Sequence, residues 1–184
     1  NWGFMELSHT EEDGIYANIS FVDFVGLVLS LVLTLGSGQV QTVLGLPGDA
    51  PKRVCAALRK QSRLDGGPWG QMCITSGDGQ PLRILSPNLH ETIHPGATEG
   101  YYDTYISQVW TKYATQDLAI DTQSRAGVVQ CRIDEDDQLC CEGDNRGYTR
   151  PSASDIWSCS TGPFAILAED NAIHRAVVPR LCAA

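Results

Sequence analysis

The sequence predicts a mainly β fold with an α/β portion, and three patterns carry that expectation. Leu27, Leu29, Leu31, Leu33 and Leu35 alternate with Val28, Ser30, Val32 and Thr34, the two-residue period of a strand with a buried face. Amphipathic stretches near residues 50–63 and 102–113 read as helices. Short apolar runs divided by Gly- and Asp-containing turns make up most of the rest. A chain of 184 residues can bury a core as one domain, and 42% hydrophobic with 19% charged residues lies far from the composition of disordered chains.

Gly3 to His9 and Ala17 to Val25 read as strands around the acidic turn Glu11-Glu12-Asp13-Gly14, a hairpin that feeds the long leucine strand. The apolar run from Phe21 to Leu35 is interrupted by Asp23, Ser30 and Thr34. It is shorter than the roughly 20 residues of a membrane helix, so no membrane partner is expected. Asp49 is placed to cap the first helix, with Pro51 in its first turn. Val54, Ala57 and Leu58 share one face of that helix, and Arg59, Lys60 and Arg63 lie toward its C-terminus. Strands follow about Gln71–Thr75 and Leu82–Leu85, joined by Ser76-Gly77-Asp78-Gly79, and then a loop with His and Pro up to about Gly100.

In the second helix Tyr102, Tyr105, Ile106, Val109, Trp110 and Tyr113 form one wide apolar face, which reads as core rather than as a sugar platform. From Leu118 strands return, and Gly127–Ile133 and Gln138–Glu142 flank the turn Asp134-Glu135-Asp136-Asp137. That turn lacks the glycine and spaced ligands of a calcium loop and reads as a solvated hairpin tip. Ser152, three residues before Asp155, resembles a capping box opening a short helix that carries Ile156 and Trp157 inward.

A formal charge of −9, from 13 Lys and Arg against 22 Asp and Glu, leaves no basic face for nucleic acid and suits a neutral ligand such as a glycan. The 7 cysteines contain no C-x-x-C pair, so disulfides are expected rather than zinc, with no metal or cofactor. Disulfides and the sequon Asn18-Ile19-Ser20 indicate an extracellular route. No initiator Met or signal peptide precedes them, and the chain reads as a mature or excised product.

Two acids stand among apolar strand neighbours, Glu6 in Gly3-Phe4-Met5-Glu6-Leu7-Ser8 and Asp23 in Ser20-Phe21-Val22-Asp23-Phe24-Val25. A turn at Asp13-Gly14-Ile15-Tyr16 would set Glu6 opposite Asp23, with Phe4, Ser8 and Thr10 on Glu6's face and Met5 and Leu7 paired with Phe24 and Val22 on the core side. Glycosidic cleavage requires such a pair, one carboxyl protonating the leaving oxygen and one carboxylate activating water. The competing reading is two solvated acids on an open sheet, and the pattern alone does not decide. His90 and His94 stand four residues apart, but Pro87 and Pro95 argue against a helix that would align them, so a surface pair is expected rather than a metal site. No G-x-S-x-G elbow occurs, and oxidised cysteines cannot attack.

The segment Tyr16-Ala17-Asn18-Ile19-Ser20-Phe21-Val22-Asp23-Phe24-Val25-Gly26 resembles the signature of glycoside hydrolase family 64, the thaumatin-like β-1,3-glucanases. Asp144-Asn145-Arg146-Gly147-Tyr148, Asp155-Ile156-Trp157, Gly162-Pro163-Phe164 and Ala176-Val177-Val178-Pro179-Arg180-Leu181-Cys182-Ala183-Ala184 resemble its fungal branch, so the similarity spans the chain. The resemblance implies a thaumatin-like β-barrel or sandwich with a mixed α/β subdomain, flanking an open groove for β-1,3-glucan. It implies inverting endo-hydrolysis of linear or fungal cell-wall β-1,3-glucan, with Glu6 as general acid and Asp23 as general base. Ser8, Thr10 and Asn18 flank these acids and are assigned to sugar hydroxyls by proximity. A secreted protein, extracellular or in the cell wall, is implied as well.

Family members carry a long segment before the catalytic Glu and more chain after the Leu-Cys-Ala-Ala sequence. Residues 1–184 are therefore expected to form a single family domain lacking N- and C-terminal parts, with an N-terminal segment or partner chain completing the barrel. The alternative is a non-catalytic thaumatin-like β-1,3-glucan-binding or defence/effector module. Cysteine spacing alone leaves the connectivity open. The expected bridges are Cys55–Cys73, Cys131–Cys141 and Cys159–Cys182, with Cys140 free, because Cys140 and Cys141 point to opposite faces of one strand and only one can readily meet Cys131.

Overall fold

The computed structural model describes residues 2–12 and 14–183. The chain forms two compact units, one up to Ala97 and one from Thr98. In the first, β1 (Phe4–Thr10) and β2 (Gly14–Ser20) make a hairpin, and β4 (Leu31–Thr34) and β5 (Val40–Val43) make another. Between them β3 (Phe24–Val25) joins β7 (Pro81–Leu85) and β6 (Cys73–Thr75) in a sheet ordered β3-β7-β6. Helices α1 (Ala50–Asp65) and α2 (Pro87–Ile93) flank β6 and β7 in sequence.

The expected long leucine strand is broken. Residues 27–30 lie outside any strand and only Leu31–Thr34 pairs, with β5, while Phe24–Val25 of the expected preceding strand pairs with β7 in a separate sheet. The alternation survives in β4 but buries neither face fully, and Val32 is 65% exposed. The two-residue period reported a strand correctly and a core wrongly.

Helix α1 begins after Asp49, which occupies the cap position without a side-chain capping bond, and ends at Gly66, whose φ of 77° closes the last turn with a bond from its N–H to the Ser62 carbonyl. Its inner face centres on Cys55, with Val54 and Leu58 half-buried and Ala57 exposed. The disulfide Cys55–Cys73 ties it to β6.

Where a loop was expected, α2 forms. Pro87 sits in its first turn, where its fixed φ and missing N–H favour a helix start, and the Ser86 hydroxyl accepts a bond from Leu89 N–H at 3.1 Å. The helix brings His90 and His94 together with ring centroids 4.9 Å apart and planes tilted by 47°. They are not a surface pair: His94 is exposed, but His90 is fully buried, with neither ring nitrogen hydrogen-bonded.

The second unit holds α3 (Asp103–Tyr113), the sheet β8 (Leu118–Asp121), β9 (Val128–Ile133) and β10 (Leu139–Cys141), then α4 (Ala153–Ser158) and α5 (Ala172–Ala183). Ile106 and Trp110 of α3, Ile120, Val129, Leu139, Tyr148, Phe164 and Val177 build its core. The aromatic face of α3 is core as expected, except that Tyr105 is exposed. Ser152 and Asp155 form the capping box of α4. All three expected disulfides are present, and Cys140 is free and exposed.

A buried polar network locks α5 to the segment after β10. Arg146 meets Asp170 through two bonds of 3.0 Å and donates to His174 Nε2 at 2.8 Å. The same ring's Nδ1 lies 2.9 Å from Asp144, and the Tyr148 hydroxyl donates to Asp144 at 2.6 Å. Burial pushes the Tyr148 phenol far up, so it remains a donor. Asn145 accepts from Asn171 N–H at 2.9 Å, completing the lock. A side chain at position 147 would press on the side chains of Gln138 and Cys140.

The architecture is thus mixed α/β rather than mainly β. Its four antiparallel sheets hold two or three strands each, and none closes into a barrel among the described residues. No described helix is long and apolar enough to cross a membrane.

Burial, reinforced by neighbouring His94 and opposed by Glu91, lowers the pKa of His90. The unfolded chain binds this proton near the ordinary value of about 6.5, so the stabilisation is full above that pH and is lost as pH falls from there through the depressed folded value. The melting temperature is expected to fall between about pH 7 and pH 5, and His90→Leu to flatten that dependence. An unchanged slope in the variant would show that other groups set it.

Candidate active site

The β1–β2 hairpin carries the sequence-predicted residues, and its register decides which of them meet. Gly14, with φ of 80°, closes the turn directly against Thr10, so Ile15 and Tyr16 belong to the strand instead of the turn. Glu6 therefore pairs with Asn18, not with Asp23. Likewise Met5 faces Ile19 and Leu7 faces Ala17, in place of Phe24 and Val22, and neither Met5 nor Leu7 is buried. The expectation failed because a turn at residues 13–16 was placed too late in the chain.

Cross-strand partners share a face. Glu6 thus lies beside Phe4, Ser8 and Thr10 of β1 and Tyr16, Asn18 and Ser20 of β2. The four positions Glu6, Ser8, Thr10 and Asn18 do come together on one exposed face. Asn18 Nδ2 donates to Glu6 Oε2 at 2.7 Å. Tyr16, 60% exposed and opposite Ser8, is an addition that sequence reasoning missed; the correct register would have found it. Its flat ring suits stacking on a sugar.

Asp23 stands off this ladder, exposed in the bend between β2 and β3, where its carbonyl accepts a bond from Ser86 N–H at 2.7 Å. An aromatic clamp relates the two acids. Phe4, two residues before Glu6 on the same face, packs at 5.3 Å from Phe24, the residue after Asp23. Trp2 meets both rings at 4.7 Å, and the Arg83 guanidinium lies 4.4 Å above Phe24 and 4.7 Å above Trp2. Leu27 N–H donates to the Trp2 carbonyl at 3.2 Å, fixing the start of β1 to the chain after β3.

A cavity of about 360 Å³ in the second unit lies among Tyr105, Val109, Tyr113, Leu118, Phe164 and Leu181 and has no carboxylate in its lining. It offers nothing for acid–base chemistry. Asp134 of the acidic turn accepts from Asp136 N–H and Gln138 N–H at 3.0 and 2.9 Å, and Asp137 pairs with Arg150 at 2.8 Å, so these carboxylates serve the hairpin. No cluster of three or more metal-ligating side chains occurs among the described residues.

A family model described as Glyco_hydro_64, β-1,3-glucanase, matches residues 1–184. Two curated relatives, both described as glucan endo-1,3-beta-glucosidase, come from Cellulosimicrobium cellulans and Arthrobacter sp. strain YCWD3, both bacteria. They are 24% and 23% identical over 189 residues, covering 100% of this chain and 32% of each relative. The chain therefore spans about a third of the length of these relatives. The solved structure of a laminaripentaose-producing β-1,3-glucanase in complex with laminaritetraose has a TM-score of 0.78 at 24% identity, over 97% of this chain and 48% of that one. A β-1,3-glucanase domain (GH64) from Clostridium beijerinckii gives 0.66 at 17% identity, over 98% of this chain and 45% of that one. Both likenesses speak to the fold.

Phe24 is buried at the centre of the clamp. Phe24→Ala is expected to destabilise the first unit by about 3–5 kcal/mol in urea unfolding. A loss below about 1 kcal/mol would mean that the clamp does not hold β1 in place.

Proposed function

The chain belongs to glycoside hydrolase family 64, and from that premise we propose that it is a secreted endo-β-1,3-glucan hydrolase acting with inversion. The observation that carries the reading is the exposed face on which Glu6 stands with Ser8, Thr10, Tyr16 and Asn18, while Asp23 follows in the bend beyond that hairpin. Glu6 protonates the glycosidic oxygen as its bond to the anomeric carbon breaks. Asp23 takes a proton from the water that attacks that carbon from the opposite side. Inversion requires roughly 6.5–9.5 Å between such carboxyls, and acids that are not cross-strand partners are free of the shorter spacing a ladder imposes. Ser8 and Thr10 supply hydroxyls to sugar hydroxyls. The three disulfides support an extracellular setting.

The same reading includes a thaumatin-like barrel that a further polypeptide segment completes. Its support is the exposed apolar side of the hairpin, where Met5, Leu7 and Ile15 are 49%, 65% and 50% exposed, and the pairing of β4 with β5 alone among the described residues. Residues 1–184 expressed alone are expected to self-associate, and Leu7→Lys to reduce that association in light scattering. A stable monomer at about 100 µM without the substitution would refute the need for a covering segment.

Reducing-end release from linear β-1,3-glucan tests the activity. Glu6→Gln and Asp23→Asn are each expected to lower turnover by at least about 10²-fold with glucan binding largely retained. Binding without turnover in the unsubstituted protein would instead identify a glucan-binding module.

A further inference from the structure

Glu6 projects from a strand that is exposed along its whole length, and a glutamate there has three side-chain torsions and no burial to limit them. A general acid that samples many rotamers spends little time with its proton on the leaving oxygen. The structure supplies one local restraint. Asn18 is the direct cross-strand partner of Glu6, and its Nδ2 donates to Glu6 Oε2 at 2.7 Å. The ladder holds the two backbones in register, so the amide reaches the carboxyl without any movement of the chain.

We infer that Asn18 is a positioning residue for the Glu6 carboxyl, an inference that rests on Glu6 being the general acid. An amide nitrogen only donates, so the oxygen it reaches is an acceptor, the carbonyl oxygen of the protonated acid. When Glu6 acts as the acid, its transferable proton is then carried on Oε1, the oxygen left free to face the substrate. As that proton passes to the glycosidic oxygen, the carbon–oxygen electron pair goes to the leaving group and Glu6 becomes a carboxylate. The water oxygen bonds the anomeric carbon and its proton goes to Asp23. Asn18 exchanges no proton, but its bond to Oε2 strengthens as charge develops on Glu6, so the amide favours the transition state over the ground state.

Two substrates separate this role from others. Linear β-1,3-glucan needs protonation of its leaving oxygen, whereas a 2,4-dinitrophenyl β-laminarioside departs as a phenolate and does not. Asn18→Ala, and Asn18→Leu as a variant that fills the same space without a donor, are expected to lower kcat on glucan by roughly 10- to 100-fold. KM should change little, and turnover of the dinitrophenyl substrate should stay within about threefold. Glu6→Ala is measured beside them and should show the same substrate dependence with a larger loss. Equal losses on both substrates, a change confined to KM, or full activity on glucan in the Asn18 variants would overturn the inference. Should Glu6→Ala itself lose activity equally on both substrates, the assignment of Glu6 as acid fails, and with it the premise.

Discussion

The register of the β1–β2 hairpin is the constraint on which the site depends. Side chains alternate along a strand, so a shift of one residue would set Glu6 opposite Ala17 or Ile19 in place of Asn18. Two features hold the register. Gly14 takes a positive φ that allows a tight closure against Thr10, and the rings of Trp2, Phe4 and Phe24 under Arg83 pin the opposite end. An isolated two-stranded hairpin is marginal in water. The clamp is therefore what makes an exposed ribbon a fixed platform, and it does so through the residues next to both acids.

Unit 2 shows a different economy. Its family-like segment Asp144-Asn145-Arg146-Gly147-Tyr148 supplies a buried network in which Arg146 neutralises Asp170 with a two-bond contact and His174 is held from both sides. Breaking one member would leave the others buried without partners, which is why such networks specify one arrangement so strongly. These polar residues look like chemistry in a sequence. In the fold they are a lock between β10 and α5.

Legibility followed the range of the physics involved. The β9–β10 hairpin, its Cys131–Cys141 bridge, the capping box at Ser152 and the helix face of Ile106 and Trp110 were readable because each rests on contacts between residues close in sequence. Helix α2 was not, because Pro87 was weighed as a helix breaker when its place was the first turn. The leucine run was misread as core because alternation reports which side chains share a face and says nothing of what covers that face. Ser8 and Thr10 were legible beside Glu6 by parity, which survives an error of turn placement within a strand, whereas Asn18 was reached by proximity alone. The partnership of Glu6 with Asn18 and the place of Tyr16 required the register itself.

The two faces of the hairpin call for different covers. On one, Met5, Leu7 and Ile15 present apolar surface beside His9, and burial against protein is the gain available to it. On the other, polar side chains interleave with Phe4 and Tyr16, the mixture of hydroxyls, amide and flat rings that a sugar chain can match. Water must leave the second face for a carboxyl there to transfer its proton efficiently, yet no described part of the chain covers it. On the proposed reading of Glu6 as the acid, the bound substrate does so itself. A long glucan laid along the strand can exclude water over several sugar units, which a short glycoside cannot, so an exposed acid on an open ribbon is suited to polymer rather than to small sugars.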